Sequence, residues 1–190
     1  MCRADTPLST FGGLPLPHQS RRLFLRSAIA LVGLPLLTEF AEAATRANPN
    51  DLAMLNSAIE LERAGIKAYD DAAGTGLLTP SVLEIASRFR ADHIAHRDAL
   101  IGAVHAGGAV LTTNVAKIEY PRLRSQADVI AFALVVERQA ASTYLSVIPD
   151  LSDRRLAQVA AAILGVETTH VSRLAEALGN AQAYPQGFVV

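Results

Sequence analysis

Glu167 and His170 are the two residues whose spacing most directly suggests chemistry. They lie one helical turn apart in a segment whose apolar residues recur at steps of three and four, and both fall on the apolar face. A carboxylate and an imidazole at this Glu-x-x-His spacing can bind one metal ion, as they do inside helical bundles. The pair therefore predicts a metal site, with a hydrogen-bonded pair in a polar core layer as the alternative.

Four more acids and histidines fall on apolar faces elsewhere, and an internal repeat relates them to this pair. Glu62 recurs as Glu137 at an offset of 75 residues, and each is followed seven positions later by a tyrosine. His93 and His96 match the Glu-x-x-His pair at an offset of 74. The repeat predicts that these polar residues lie at corresponding depths in two pairs of helices.

If the four apolar faces meet, three carboxylates and three imidazoles converge in one interior. An unpaired carboxylate there costs several kcal/mol. Arg63 and Arg138 each follow an acid by one position, about 100° round the helix, and should point away. The carboxylates must then take up protons, with raised pKa values, or share a cation. A divalent metal needs fewer assumptions, and mixed imidazole and carboxylate ligands suit iron, manganese or zinc.

The two tyrosines of the repeat, Tyr69 and Tyr144, are predicted to be core residues. Their hydroxyl groups are expected at the edge of the bundle, where water can satisfy them. The alternative is a role beside the metal, as a radical site or as a hydrogen-bond partner of a ligand.

Four predicted helices must position these residues, at about 50–73, 79–106, 125–148 and 152–178, and strand patterns are nearly absent. The first helix opens near Asn50 and Asp51, whose side chains can cap it. The second opens at Thr79-Pro80. A connection of about seventeen residues, 107–123, precedes the third helix. Joins in bundles usually take about two to eight residues, so this one predicts a crossover along the bundle.

Residues from about 50 to 178 resemble the ferritin-like domain, in particular the exported bacterial ferritin-like domain proteins. The resemblance implies an all-α fold: a ferritin-like four-helix bundle, up-down-down-up, with the long crossover between helices 2 and 3. The family's metal pattern is a glutamate on helix 1, Glu-x-x-His on helix 2, a glutamate on helix 3 and Glu-x-x-His on helix 4. Iron is the metal that the resemblance favours, with manganese or zinc as alternatives.

Carried over position by position, that pattern implies these metal ligands: Glu62, His93, His96, Glu137, Glu167 and His170. His93 stands where the family has a glutamate that helps to bridge two ions. An imidazole cannot bridge in the same way, because one nitrogen faces each direction. Whether the site holds one ion or two therefore remains open. Asp92 is a further carboxylate on the adjacent face, with a solvated position as the alternative.

The composition excludes several classes of function. The chain has 190 residues and a formal net charge of −1, and no basic run in its folded part suggests nucleic-acid binding. Cys2 is the single cysteine, which excludes a disulfide framework and zinc-thiolate sites. The length allows one domain, and the sequence is compatible with a homo-oligomer.

Residues 1–43 are interpreted as an export signal, which leaves 44–190 as the ferritin-like domain. Segment 20–26, SRRLFLR, is similar to the twin-arginine translocation signal. The apolar stretch 28–37 is too short for a good membrane span, and Ala41-Glu42-Ala43 offers a small-x-small cleavage site. We expect the twin-arginine export machinery to be a partner of the precursor and the mature protein to be periplasmic or otherwise exported, without a stable span. The alternative is an uncleaved tether.

The sequence thus predicts an exported ferritin-like protein with a Glu/His non-haem centre of one or two ions, suited to iron binding or to oxygen or peroxide chemistry. It identifies neither a substrate nor a catalysed reaction. The alternative is a metal-free helical bundle that acts as a structural or partner-binding module in the periplasm. In that case the buried Glu/His layer would be a relic or a specificity device.

Overall fold

The computed structural model describes residues 48–179, and within this range the chain is all-helical. The elements are α1 (Pro49–Gly74), α2 (Pro80–Ala106), α3 (Gln126–Val147), a 3-10 turn (Ile148–Asp150) and α4 (Arg154–Ala177). No strand occurs in the described part. The predicted fold class is confirmed, while the predicted export signal, residues 1–43, lies outside the described residues. None of the helices in 48–179 is long and apolar enough to cross a membrane.

Three helices begin with a side-chain cap. Asn48 accepts from the backbone N–H of Asp51 at α1, Ser125 caps α3, and Asp153 caps α4. The sequence argument placed the capping residue of α1 near Asn50, two residues after the observed cap, Asn48. Asn48 is the cap because Pro49 follows it: proline is already held in a helical φ and has no N–H to satisfy.

The helix directions follow from a few contacts. A short loop, 75–79, joins α1 to α2, and Asp70 near the end of α1 pairs with Arg90 near the start of α2 (2.6 Å), so these helices are antiparallel. The buried carboxylate of Asp51 accepts from the backbone N–H groups of Ser152 and Asp153 (2.9 and 3.0 Å), so α1 and α4 begin at the same end.

Helices α1 and α3 are also antiparallel. The hydroxyl of Tyr69 contacts Glu137, while that of Tyr144 contacts Glu62. The later residue of α1 thus meets the earlier residue of α3, and the reverse holds for the other pair. With α1 up, α2 and α3 point down and α4 points up. This is the up-down-down-up topology that the sequence predicted, and it requires the long crossover between α2 and α3.

The crossover is bound along α1. Asn56 donates to the carbonyl of Val110 (2.8 Å), and the N–H of Ala116 donates to the carbonyl of Glu60 (3.0 Å). Arg63 donates to the carbonyl of Thr112 (2.6 Å). As predicted, its guanidinium turns away from the neighbouring Glu62, because the unpaired carbonyls of the crossover offer it acceptors.

Two apolar clusters fill the bundle, one towards each end. They are lined by these buried residues: Leu52, Leu55, Ile59, Leu100, Val104, Leu156 and Ile163 in the first, and Ala86, Phe89, Ile130, Leu134 and Leu174 in the second. Between them lies a layer of buried polar side chains. Removing apolar surface from water stabilises the bundle, and the clusters also shield this layer from solvent.

Candidate metal centre

All six side chains singled out from the sequence meet in the polar layer. Five of them are at most 2% exposed, and the side chain of His96 is 11% exposed. Each helix contributes at one depth, as the repeat predicted: α1 and α3 one glutamate each, α2 two histidines, and α4 the Glu-x-x-His pair. The residues are Glu62, His93, His96, Glu137, Glu167 and His170.

Four of them form a first group that could hold a metal ion. The ligand atoms of Glu62, His93, His96 and Glu167 all lie within 4.8 Å of one another. Glu62 Oε2 is 2.7 Å from His93 Nδ1, and His96 Nδ1 is 3.0 Å from Glu167 Oε1. The group therefore presents two oxygens and two nitrogens to one small volume.

A second group lies beside the first. It consists of His93, Glu137, Glu167 and His170, again with ligand atoms within 4.8 Å of one another. His170 Nδ1 is 3.4 Å from Glu137 Oε2 and 3.4 Å from Glu167 Oε2. His93 Nε2 is 3.3 Å from Glu137 Oε1. The two groups share one histidine and one glutamate.

The shared residues divide their atoms between the groups. His93 faces Glu62 with Nδ1 and Glu137 with Nε2. Glu167 faces His96 with Oε1 and His170 with Oε2. The six side chains therefore form two adjacent positions, and His93 can complete either of them with the one nitrogen that carries no proton.

The tyrosine hydroxyls lie inside the layer, so their predicted place at the bundle edge is wrong. Tyr69 and Tyr144 are 4% and 3% exposed. Tyr69 donates a short hydrogen bond to Glu137 Oε1, and Tyr144 donates to Glu62 Oε1 (2.5 Å). The reason is the antiparallel packing of α1 on α3, which places each tyrosine beside the glutamate of the other helix. Each hydroxyl fixes one carboxylate oxygen and leaves the other facing the histidines.

Asp92 orients His170 from outside the polar layer. Its Oδ2 is 3.1 Å from His170 Nε2, and its side chain is 49% exposed. The ring of Phe89 stacks on the same imidazole, with centroids 3.9 Å apart. With Nε2 engaged by Asp92, Nδ1 of His170 faces the centre. Asp92 is therefore an outer hydrogen-bond partner of the kind that fixes metal-binding histidines.

The imidazoles are poised to carry charge. Burial alone would lower the pKa of His93, but Glu137 and Glu62 outweigh it and raise the pKa to about 10. Burial acts on His170 in the same direction, and contacts with Asp92, Glu137 and Glu167 raise its pKa to about 11. The pKa of His96 is raised to about 9, against burial, by Glu167 and Glu62.

The three glutamates of the layer differ in the direction of their pKa shifts. Burial would raise the pKa of each, yet the neighbouring imidazoles lower the pKa of Glu62 and of Glu137. Only Glu167 keeps a raised pKa, because burial outweighs the histidines beside it. The sequence argument gave the acids two choices, protonation or a cation. It overlooked a third: protons held by the imidazoles, whose pKa values are raised, can balance the carboxylates without any metal.

Several polar atoms in the layer nevertheless lack a hydrogen bond of good geometry, although their ion-pair partners lie 3.0–3.4 Å away. Within the described residues they are Nδ1 of His96, Nδ1 of His170, Oε2 of Glu137 and both oxygens of Glu167. Leaving a buried polar atom unsatisfied costs about 1–3 kcal/mol, and all of these atoms belong to residues of the two groups. Charge balance thus accounts for the ionisation of the layer but not for its unsatisfied atoms.

Gly65 is a further residue of the site that the sequence argument missed. A Cβ at this position would lie 3.0 Å from both Cε1 and Nδ1 of His93, so only glycine leaves room for the ring as it stands. The signal was available: Gly65 follows Glu62 by three positions and therefore shares its helical face. A glycine inside a helix, where it is unfavourable, suggests a close approach.

Comparison with known proteins supports the fold. A search of curated proteins found no match. Among solved structures, a conserved hypothetical protein from Mycobacterium tuberculosis, rv2844, is similar with a TM-score of 0.62 and 22% sequence identity, over 70% of this chain and 100% of that one. At this identity the likeness shows the fold alone. A family model described as the ferritin-like domain matches residues 50–180. The chain therefore belongs to the ferritin-like domain family.

Proposed function

We propose that this protein binds iron at the buried Glu/His layer, in two adjacent positions. The observation that carries the proposal is the set of buried atoms without hydrogen bonds on Glu137, Glu167, His96 and His170. Their types fit the ion, because carboxylate oxygens and imidazole nitrogens together suit non-haem iron, with manganese and zinc as competitors. A cation between them would satisfy these atoms at once.

Each residue has a role in this arrangement. Glu62 and His96 belong to the first position and Glu137 and His170 to the second. Glu167 can serve both, whereas His93 serves one at a time, because a neutral imidazole has one lone-pair nitrogen. The outer partners of these ligands are Tyr144, Tyr69 and Asp92, which hold the carboxylates and the last imidazole in place. The apolar clusters on either side exclude water.

Bound iron would supply redox chemistry towards oxygen or peroxide. The protein's own part is to release protons from the imidazoles when the ion enters, since only deprotonated nitrogens bind metal. The three carboxylates balance three of the four positive charges that two divalent ions would bring, and no arginine or lysine is buried in the described part of the layer. No substrate follows from these residues alone.

Elemental analysis of the full chain, purified without chelator and then loaded anaerobically with ferrous iron, tests the proposal. We expect up to two equivalents in the wild type and a loss of at least one in Glu137→Gln and in Glu167→Gln. Glu84→Gln, which changes an exposed helical glutamate, is the matched control and should retain the full amount. Equal metal content in all four proteins, or none in the wild type, would overturn the proposal.

A metal-free helical module is the second candidate, and one observation favours it. The raised pKa values of His93, His96 and His170 allow the layer to be neutral without a metal. In that case the melting temperature should not respond to iron, manganese or zinc. A ligand that binds only the folded state must raise it, so a saturable increase with iron decides for the metal centre.

The proposed location is outside the cytoplasm, by way of the twin-arginine route. Its support is the segment 20–26, the apolar stretch after it and the small residues at Ala41 and Ala43. Cell fractionation of the full chain should find the protein in the exported fraction. The double change Arg21→Lys and Arg22→Lys should retain it in the cytoplasm. Export that is insensitive to this change would contradict the assignment.

A further inference from the structure

A cavity opens beside the centre, between α1 and α3 and under the crossover. Its volume is about 210 Å³. The walls are apolar and are formed by Leu61, Ala64, Phe132, Val136 and Ala140. Its inner end reaches Glu62 and His93, and its outer end reaches Lys117, Glu119 and Gln139. The cavity thus connects the side of the bundle with the first of the two metal-binding groups.

Gly65 shapes the inner end. It lines the cavity, and its missing side chain leaves the edge of the His93 ring, from Cγ to Cε1, next to the backbone of α1. A larger residue would press on the ring, since a Cβ would already lie 3.0 Å from it. Because Glu62 and His93 themselves line the cavity, a molecule bound there would contact the centre.

The crossover covers the cavity with residues 116–119, and contacts on both sides hold it in place. On one side the N–H of Ala116 is bonded to the carbonyl of Glu60 (3.0 Å). On the other, the ring of Tyr120 packs on Phe132 with centroids 5.0 Å apart, and the Lys67 ammonium lies 5.6 Å from the centroid of the tyrosine ring. The crossover is thus fixed at 116 and at 120, which keeps the space below it open.

The charged residues around the cavity are paired with one another, which disfavours anions. At the outer end Lys117 and Glu119 pair with each other (2.5 Å), so the mouth offers no net positive charge. At the inner end the Glu62 carboxylate is already engaged by His93 (Oε2 to Nδ1, 2.7 Å) and by the hydroxyl of Tyr144. A carboxylate or phosphate entering here would lose its hydration and would find Lys117 and His93 already paired with carboxylates. A hydroxyl group could instead donate a hydrogen bond to Glu62, since each carboxylate oxygen accepts more than one.

We infer that this cavity binds a small neutral organic molecule, with an aromatic or branched aliphatic body and a hydroxyl head directed at Glu62 and His93. The size fits, because an apolar cavity of about 150 Å³ holds benzene and this one, at about 210 Å³, is large enough for a ring with a short substituent. Binding itself does not need the metal. The importance of the hydroxyl's position, next to the iron ligands, rests on the proposed function.

Benzyl alcohol is the probe, with benzoate and glycerol as the charged and the purely polar comparison. Isothermal titration of the full chain, metal-free and iron-loaded, should show saturable binding of benzyl alcohol in both forms and at least tenfold weaker binding of the other two. Gln139→Trp places a large side chain at the outer end and should weaken binding at least tenfold. Ser142→Trp, exposed on the same helix and away from the cavity, should change it less than twofold.

No saturable binding of benzyl alcohol, or equal binding to the two tryptophan variants, would overturn the inference. Because the metal-free form is tested alongside the loaded one, the two proposals fail separately. Benzyl alcohol binding without any iron uptake refutes the metal centre alone, whereas iron uptake without benzyl alcohol binding refutes the ligand cavity alone.

Discussion

Replacing Gly65 by alanine tests how the centre is assembled. The new methyl carbon would lie 3.0 Å from two atoms of the His93 ring. The ring cannot simply turn aside, because Glu62 engages one of its nitrogens at 2.7 Å and Glu137 lies 3.3 Å from the other. We therefore expect the imidazole to shift and both contacts to lengthen.

The magnitude follows from comparison with a glycine that touches nothing. Gly102 lies in α2, and a Cβ there would meet no atom within 4 Å. Alanine is favoured over glycine in a helix by about 1 kcal/mol, so Gly102→Ala should raise the free energy of unfolding by about that amount. Overpacking a core costs about 1–3 kcal/mol. Gly65→Ala should thus be about 1–3 kcal/mol less stable than Gly102→Ala.

Urea unfolding of the two variants and the wild type, all metal-free, measures this difference. Iron titration of the same three proteins gives a second readout: Gly65→Ala should bind iron at least tenfold more weakly, while Gly102→Ala should match the wild type. If Gly65→Ala is as stable as Gly102→Ala and binds iron normally, the close fit of glycine against imidazole has no consequence and the reasoning is wrong.

Three further predictions concern the charges of the layer. The pKa values of His93 and His170 are raised to about 10 and 11. The stability that these two residues contribute to the metal-free protein should therefore be complete below about pH 6.5 and be lost as the pH rises towards those values. A free energy of unfolding in urea that does not decline between pH 6 and 10 would contradict this. His93→Glu leaves four carboxylates with two imidazoles, so the metal-free protein should melt at a lower temperature and gain more from iron than the wild type does; an unchanged melting temperature would argue that the layer is not ionised. Asp92→Asn removes the outer carboxylate of His170 and should weaken iron binding about 10–100-fold, as measured by competition with a chelator, and wild-type affinity would show that the 3.1 Å contact does not orient the ligand.

The pattern of polar residues on apolar faces was sufficient to predict which side chains meet. Glu62 in the first half of the chain and Glu137 in the second each stand seven positions before a tyrosine. This repeat predicted that the polar residues lie at corresponding depths in two pairs of helices. Helical periodicity works here because every apolar face has to pack against another. The long connection after α2 likewise predicted the crossover, since only an excursion along the bundle needs so many residues.

What the sequence could not show depends on contacts between helices. The hydroxyl of Tyr144 donates to a glutamate 82 positions away, and this pairing follows from the relative sliding of α1 and α3 rather than from either helix. The same holds for Asp92 and His170. The sequence argument considered each histidine as a ligand and did not consider its charge in the metal-free protein. Their pKa values are set by carboxylates on neighbouring helices, at distances that only the folded bundle determines.

Anomalous scattering from crystals of the iron-loaded full chain, collected on both sides of the iron absorption edge, tests the central claim most directly. The account predicts anomalous density inside the polar layer, between Glu167 and His93, at one or both of the positions defined by the two groups of four ligand atoms. Iron that scatters only at the protein surface, with this layer free of anomalous density, would contradict it.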